Sequence, residues 1–280
     1  MAEDWTDIEN DLIVEDYFSM LQDELAGKPF NKAEHNRMLR AVIPNRSKQS
    51  VEFKHRNISA ILENFGVPYI RGYKPAHNYQ RRILEPKVAD YLESHGYLEM
   101  DFMKFAESAP AAPEILSKPH FEKIIQQPPK KQQVEEPIET YRRPTRRNYL
   151  ELEQKNAELG RLGEQFAVQY ERWRLAQEGK ESLADKVEWV AETRGDGLGF
   201  DILSKNNNGT DRYIEVKTTK LSKHSPIFLT RNELKFSVEN SSNFYLYRIF
   251  DFSVKPKEFI LNGRFEDFCI IEAISFQGNF

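Results

Sequence analysis

The sequence predicts an α+β protein in which a small all-helical domain precedes a mixed β-sheet flanked by helices. Three features of the 280-residue chain favour this fold class. Apolar residues recur at helical spacing over residues 1–100, and seven of the 14 prolines lie within 101–147. Residues 148–280 then alternate between helical patterns and strand-like apolar runs. This order predicts a helical domain, a linker and a layered domain of helices and strands.

Capping signals divide the first domain into four helices. Thr6 and Glu9 have the spacing of a capping box, in which each side chain satisfies a free amide at the start of a helix. Asn31 gives the same kind of signal for a second helix. We expect a third helix after Ser50 and a fourth over residues 83–94.

We interpret residues 101–147 as a linker. Its prolines break any long helix, because proline lacks the backbone donor and clashes with the preceding turn. Four glutamines, at positions 126, 127, 132 and 133, add to its polar character. We expect at most a short helix near Phe121.

The last domain, residues 148–280, begins with a long amphipathic helix whose apolar positions extend from Leu152 to Trp173. Six strand-like runs follow, and an Asn-Gly dipeptide at 208–209 predicts a hairpin between the second and third. Thr230 starts a helix ahead of the fourth run. The six runs cover residues 187–191, 200–204, 213–217, 244–250, 258–261 and 268–274.

Composition excludes several classes of protein. Lys and Arg total 40 against 44 Asp and Glu, so the formal net charge of −4 excludes a wholly basic nucleic-acid binder. The single cysteine, Cys269, cannot form an internal disulfide. No apolar run approaches the roughly 18 residues that a membrane-spanning helix needs. We therefore expect a soluble, cytoplasmic protein with no membrane partner.

Three charged residues inside apolar strand runs carry the candidate chemistry. Alternation along a strand places Glu215 and Lys217 on one face, and the predicted hairpin brings Asp201 beside Glu215. Two carboxylates in a partly dry site repel each other and favour a divalent cation such as Mg²⁺. Lys217 can then orient a water molecule or stabilise charge on a phosphate. The alternative is a structural ion pair.

A fourth candidate, Glu164, lies on the long helix. Gly160, Gly163 and Ala167 are small residues on that helix, so one of its faces can approach the sheet closely. A carboxylate there can reach the metal site. The alternative is a glutamate that faces solvent.

Five segments together resemble a known family: residues 160–164, 197–202, 213–219, 228–234 and 245–250. They are similar to the domain named after the C-terminal region of the plant protein NO VEIN, a branch of the restriction-endonuclease-like PD-(D/E)xK superfamily. The superfamily's proline before the first aspartate is replaced by Phe200. The resemblance covers about residues 148–252.

This resemblance implies a restriction-endonuclease-like sheet and phosphodiester hydrolysis. It implies that Asp201 and Glu215 are metal ligands, that Lys217 is the catalytic lysine and that Glu164 is the acidic residue of the helix. We expect the main-chain carbonyl of Val216 to join the ligands of Mg²⁺, with Mn²⁺ as an alternative metal.

The helical domain has an uneven charge distribution. Residues 1–27 hold nine acids and no Lys or Arg, whereas residues 28–82 hold 12 Lys and Arg against three acids. The basic segment suits phosphate contact, and its candidate nucleic-acid-binding residues are Arg46, Lys48, Lys54 and Arg56. Within it, residues 45–47, 50–55, 57–59 and 72–75 resemble an N-terminal region often attached to bacterial restriction-type nucleases. The alternative is internal neutralisation by the acidic first helix.

These observations predict a two-domain, Mg²⁺-dependent nuclease. DNA is favoured over RNA as the substrate, and restriction or anti-phage defence is the setting that the resemblance implies. Two alternatives remain at this point: a non-catalytic module that binds nucleic acid or protein, and a nuclease directed at RNA. We leave open whether the chain is a monomer or a homodimer.

Overall fold

The computed structural model describes residues 4–108, 121–131, 145, 147–195 and 197–274. The chain forms two compact units. Unit 1 comprises the described residues up to 108 together with 145, 147–156 and 224–226. Unit 2 comprises the described residues of 121–131, 157–223 and 227–274.

Unit 1 is helical, as predicted. Thr6 and Glu9 form the predicted capping box, and the side chain of Asn31 caps the second helix. The third helix begins earlier than expected, because Ser47 caps it by accepting a hydrogen bond from the backbone of Ser50. The described helices of unit 1 are α1 (Asp7–Leu25), α2 (Lys32–Val42), α3 (Lys48–Asn64), α4 (Arg81–Ser94), α5 (Leu98–Glu107) and α6 (Tyr149–Gln154).

The core of unit 1 lies where α1 packs on α3 and α4. Tyr17 is fully buried, and its hydroxyl lies 2.7 Å from the hydroxyl of Ser59 and accepts a hydrogen bond from the backbone of Ile70. Beyond residue 100 the sequence predicted a linker, but α5 continues to Glu107. It packs on α6 through a ring contact at 5.5 Å between Phe102 and Tyr149. The helical unit therefore extends past the predicted boundary.

Unit 2 contains a five-stranded sheet in the order β1-β2-β3-β4-β5. Only β3 and β4 are parallel, and the other neighbouring pairs are antiparallel. The predicted fold class, a mixed sheet flanked by helices after a helical region, is confirmed. Its elements are α7 (Ala157–Gln177), α8 (Glu181–Ala184), β1 (Glu188–Trp189), α9 (Val190–Arg194), β2 (Ile202–Lys205), β3 (Asp211–Thr218), α10 (Arg231–Glu239), β4 (Phe244–Phe250), β5 (Lys257–Asn262) and α11 (Phe265–Phe268).

Each face of the sheet packs against helices. On one face, Ile202 and Ile214 belong to a core that includes Phe166 of α7. On the other face, Phe244 packs with Phe236 of α10 and with other apolar residues. The two central strands are thus covered on both sides, which buries any polar group that they carry.

Three predicted elements of unit 2 differ in the structure. The long helix from residue 148 is interrupted at residues 155–156, so that α6 falls in unit 1 and α7 in unit 2. The first predicted strand is shortened to β1, since α9 begins at Val190. The last predicted strand, 268–274, is wrong, because α11 follows β5 after a turn at Gly263 and residues 269–274 form no strand.

Part of the predicted linker packs into unit 2. Residues 121–123 form the expected short helix, of 3-10 type, and the Phe121 ring lies 5.4 Å from the ring of Phe166. Ile125 forms a parallel bridge with Glu258 of β5. The proline-rich stretches 109–120 and 132–144 lie outside the described residues. No helix in the described part of the chain has the length and apolar character to cross a bilayer.

Candidate active site

The β2–β3 hairpin positions the first pair of acidic residues. Because Ile202 pairs with Ile214 in antiparallel register, the preceding Asp201 lies across from Glu215, as predicted. The backbone of Asp201 donates to the carbonyl of Ile214 at 2.9 Å. Its Oδ2 atom accepts a hydrogen bond of 2.8 Å from the backbone N–H of Val216. Val216 thus contacts Asp201 through its N–H group, whereas the sequence predicted a role for its carbonyl.

Strand alternation brings Glu215 and Lys217 together. Lys217 Nζ lies 2.7 Å from Glu215 Oε1, so the two side chains share a face as predicted. Their neighbours Ile214 and Val216 point into the core beneath α7. Glu215 is only 3% exposed. A buried carboxylate on a central strand requires a partner, and Lys217 supplies it.

Glu233 is a fourth member of the site, and we did not predict it. It lies on α10, and its Oε2 atom is 2.7 Å from Lys217 Nζ. The same carboxylate accepts a hydrogen bond from the backbone of Thr230, in a capping box that starts α10. The Thr-x-x-Glu spacing was visible in the sequence as a helix start. The ion pair was not, because it depends on how α10 packs against β3.

The site carries more negative than positive charge. Burial, followed by the charge of Asp201, raises the pKa of Glu215 well above its usual range. Burial alone would lower the pKa of Lys217, but the charges of Glu215, Glu233 and Asp201 outweigh it and raise that pKa. Lys217 is therefore a stable cation among several carboxylates. An additional cation would lower the cost of ionising Glu215.

The donor set fits a hard divalent cation. Mg²⁺ is commonly held by one or two carboxylates and completes its shell with water, and Asp201 and Glu215 supply two carboxylates from adjacent strands. Within the described ranges, no three His, Cys, Asp or Glu residues are grouped closely enough to hold a metal ion. The fit thus rests on two carboxylates and water, not on an all-protein cage.

Glu164 lies on α7, and its Oε2 atom accepts a hydrogen bond of 2.6 Å from the indole N–H of Trp189. The predicted close approach of α7 to the sheet occurs at Gly163, where an added Cβ would lie 1.8 Å from Thr218 Oγ1. At Gly160 the nearest atom to such a Cβ is Oε1 of Glu164, at 3.9 Å. The metal role predicted for Glu164 stays a prediction.

Two of the four predicted nucleic-acid-binding residues are buried in unit 1. Arg46 is 8% exposed, and its guanidinium donates to both carboxylate oxygens of Glu9 on α1 at 2.7 Å. Lys54 is 5% exposed, and its Nζ lies 4.9 Å from the ring centroid of Trp5. For Arg46 the structure favours the alternative, neutralisation by the acidic first helix, whereas Lys54 is buried beside an aromatic ring.

The other two basic residues are more accessible. Lys48 is exposed in the first turn of α3. Arg56 is half-buried, donates to the carbonyl of Lys74 at 3.0 Å and lies beside the ring of Phe53. Both side chains are accessible to nucleic acid. Their contact with it stays a prediction.

The fold and site define a class of protein: an α+β domain in which the carboxylates of Asp201, Glu215 and Glu233 are grouped around one lysine of a central strand. Residues 163–261 match the family described as Protein NO VEIN, C-terminal. A NO VEIN C-terminal domain is thus found over residues that belong to unit 2 except for 224–226, and all the residues of the candidate active site lie inside it.

Two curated proteins of Arabidopsis thaliana are similar to part of the chain. Protein NO VEIN and Protein NO VEIN-LIKE are each 30% identical to it over 92 residues, which is 33% of this chain. That segment spans only 3% and 13% of their respective lengths. No solved structure matches the chain.

Proposed function

We propose that unit 2 is a metal-dependent nuclease of the PD-(D/E)xK type, which hydrolyses phosphodiester bonds. The observation that carries the proposal is the convergence of Asp201, just before β2, with Glu215 and Lys217 of the neighbouring strand β3, in a largely buried site with excess negative charge. Such a site suits a divalent cation, and a fixed ammonium group beside it suits a phosphate in the transition state.

Each residue has a distinct role in this proposal. Asp201 and Glu215 hold Mg²⁺, which supplies an activated water molecule and neutralises phosphate charge. Lys217 positions the attacking water and stabilises the charge that develops on the phosphate. Glu164 is included in the ligand set because the resemblance implies it. The Val216 carbonyl is included because the sequence analysis predicts it. Mn²⁺ is the alternative metal.

DNA is the favoured substrate, and restriction or anti-phage defence is the proposed setting. Both come from the similarity of the sequence blocks to nucleases of this superfamily. RNA remains the second possible substrate. The basic residues of unit 1 that are accessible, Lys48 and Arg56, are the proposed contacts with the phosphate backbone.

The test is incubation of the full chain with plasmid DNA and with RNA, in Mg²⁺, Mn²⁺ or EDTA. We expect cleavage that requires the metal. Lys217→Met should reduce the rate by about 100-fold or more, because it removes a charge aimed at the transition state. Lys235→Met is the matched control, since Lys235 is exposed on α10 and pairs with Glu239. Equal rates in wild type and Lys217→Met would refute the role of Lys217.

One observation favours a second candidate function, a non-catalytic binding module. Lys217 is held at 2.7 Å by carboxylates on two sides, as in a purely structural ion network. In that case Lys217→Met should lower the melting temperature strongly, while neither nucleic acid is cut under any metal condition.

A further inference from the structure

Lys217 contacts two carboxylates that belong to different elements. Glu215 lies on the same strand, and Glu233 comes from α10, both at 2.7 Å from the ammonium nitrogen. All three side chains are at most 15% exposed, so water is a poor substitute for either carboxylate. Glu215 is also the proposed metal ligand. The ammonium group and a divalent cation would therefore draw on the charge of the same carboxylate.

Two capping hydrogen bonds hold Glu233 in place. Its Oε2 atom also accepts a hydrogen bond from the backbone of Thr230, and its own N–H donates to the Thr230 hydroxyl at 3.2 Å. This capping box fixes the carboxylate at the start of α10. Glu215, in contrast, lies across from the carboxylate of Asp201.

We propose that Glu233 is a positioning residue that holds the Lys217 ammonium when Glu215 turns to a divalent cation. This inference rests on the proposed function and extends it. With Glu233 in place, the metal gains Glu215 without leaving a buried ammonium unpaired. Without Glu233, Glu215 is the nearby partner of the ammonium group. The ion pair between them then opposes metal binding. Glu233 then favours metal binding indirectly, through Lys217, and keeps the lysine near the reacting phosphate.

The experiment is a calorimetric titration of the full chain with Mn²⁺ in four forms: wild type, Glu233→Gln, Lys217→Met and the double variant. Glutamine serves in a capping box as glutamate does, so Glu233→Gln removes the charge and keeps the cap. We expect Glu233→Gln to weaken Mn²⁺ binding about tenfold when Lys217 is present, and about twofold or less when Lys217 is methionine. Circular dichroism checks that all four forms fold.

Glu239→Gln is the matched control, because Glu239 is an exposed acid on the same helix that pairs with Lys235. Its Mn²⁺ affinity should equal that of wild type. If Glu233→Gln weakens binding equally in both backgrounds, Glu233 is itself a ligand and the proposal is wrong. It is also wrong if Glu233→Gln has no effect.

The failure of this inference can be told apart from that of the proposed function. If the wild type does not bind Mn²⁺, both are overturned. If Mn²⁺ binds with the expected coupling but no nucleic acid is cut, the positioning role holds and the nuclease function fails.

Discussion

At the scale of single residues, Asp201 and Glu215 place two carboxylates on adjacent strands, where burial makes their mutual repulsion costly. Asp201 is partly stabilised by the N–H of Val216, and Glu215 by Lys217. Burial, followed by the charge of Asp201, nevertheless raises the pKa of Glu215 well above its usual range. The proposed divalent cation would favour the ionised form of Glu215.

We expect Mg²⁺ or Mn²⁺ to raise the melting temperature of the wild-type chain, because a ligand that binds only the folded state stabilises it by mass action. At 100 times the dissociation constant the gain is about 2.7 kcal/mol. Asp201→Asn should abolish most of this shift, as measured by thermal denaturation with and without the metal. An identical shift in wild type and Asp201→Asn would place the metal elsewhere.

Asp201, Glu215 and Lys217 could be predicted from the sequence because strand alternation and a two-stranded hairpin are local patterns. Glu233 could not, since it meets Lys217 only through the packing of α10 on the sheet. Arg46 was misplaced for a related reason. Its burial depends on Glu9, far away in the sequence, and composition does not reveal such a pairing.

At the scale of elements, α7 packs so closely on the sheet at Gly163 that this position has no room for a side chain. An added Cβ at Gly163 would lie 1.8 Å from Thr218 Oγ1 and 2.8 Å from Thr218 Cβ. Gly160 lies one turn earlier on the same helix, and an added Cβ there would meet only ordinary contacts. The two positions therefore form a natural pair for testing this interface.

We expect Gly163→Ala to destabilise unit 2 by about 1–3 kcal/mol, because the overpacked helix must move away from β3. Gly160→Ala should instead stabilise it by up to about 1 kcal/mol through higher helix propensity. Urea denaturation of both variants gives the comparison. Equal stability of the two variants would show that α7 can adjust without cost.

Three of the helix starts that the sequence predicted are marked by capping residues. Thr6, Asn31 and Thr230 each cap the helix that the sequence predicted after it. The start of α5 has no side-chain cap, and that helix was missed. The apolar run at 268–274 resembled a strand, but no neighbouring strand pairs with its described residues.

The α7 face of the sheet also buries a polar cluster that the sequence analysis did not identify. Glu171 is fully buried and is bound by Arg174, by the hydroxyl of Tyr247 and by the hydroxyl of Ser204. Glu258 of β5 is fully buried too, and neither of its carboxylate oxygens has a hydrogen-bond partner among the described residues. Burial and then the charge of Glu171 raise the pKa of Glu258 well above its usual range.

This raised pKa makes unit 2 less stable as the pH rises. Below the ordinary glutamate pKa of about 4.5 the folded and unfolded states both hold the proton on Glu258. Above it the unfolded state ionises and the folded state does not, so stability falls until the pH passes the folded-state pKa. We expect Glu258→Gln to flatten this decline and to raise the melting temperature at neutral pH by about 2–4 °C per kcal/mol gained. Thermal melts of both proteins from pH 4 to 8 are the measurement, and parallel pH profiles would contradict it.

At the scale of the whole molecule, the organisation was predicted in outline and its boundaries were not. The sequence indicated a helical part and a sheet-containing part separated by a proline-rich stretch. The chain of unit 2 nevertheless includes Phe121 and Ile124, which bury apolar side chains in its core. The proline density that suggested a linker is real, but a few apolar residues between prolines are enough to pack against a sheet.

Acidic and basic side chains also neutralise each other in ion pairs within unit 1. Acids of α1 pair with bases from several later segments: Glu9 with Arg46, Glu24 with Arg71, and Asp11 with Lys87. The excess of bases in residues 28–82 is therefore smaller at the surface than in the sequence.

This balance predicts which basic residues affect nucleic-acid binding by the full chain. Lys48→Ala with Arg56→Ala should weaken binding and reduce the slope of log affinity against log salt by about 1.8, since each phosphate contact contributes about 0.9.

Arg46→Ala should leave that slope unchanged and destabilise unit 1 by roughly 3–5 kcal/mol, because Glu9 loses its partly buried partner. Fluorescence anisotropy at several salt concentrations and thermal melts separate the two effects. If the full chain binds neither DNA nor RNA at low salt, the bases of unit 1 serve only its internal ion pairs, and unit 2 must recognise its substrate without them.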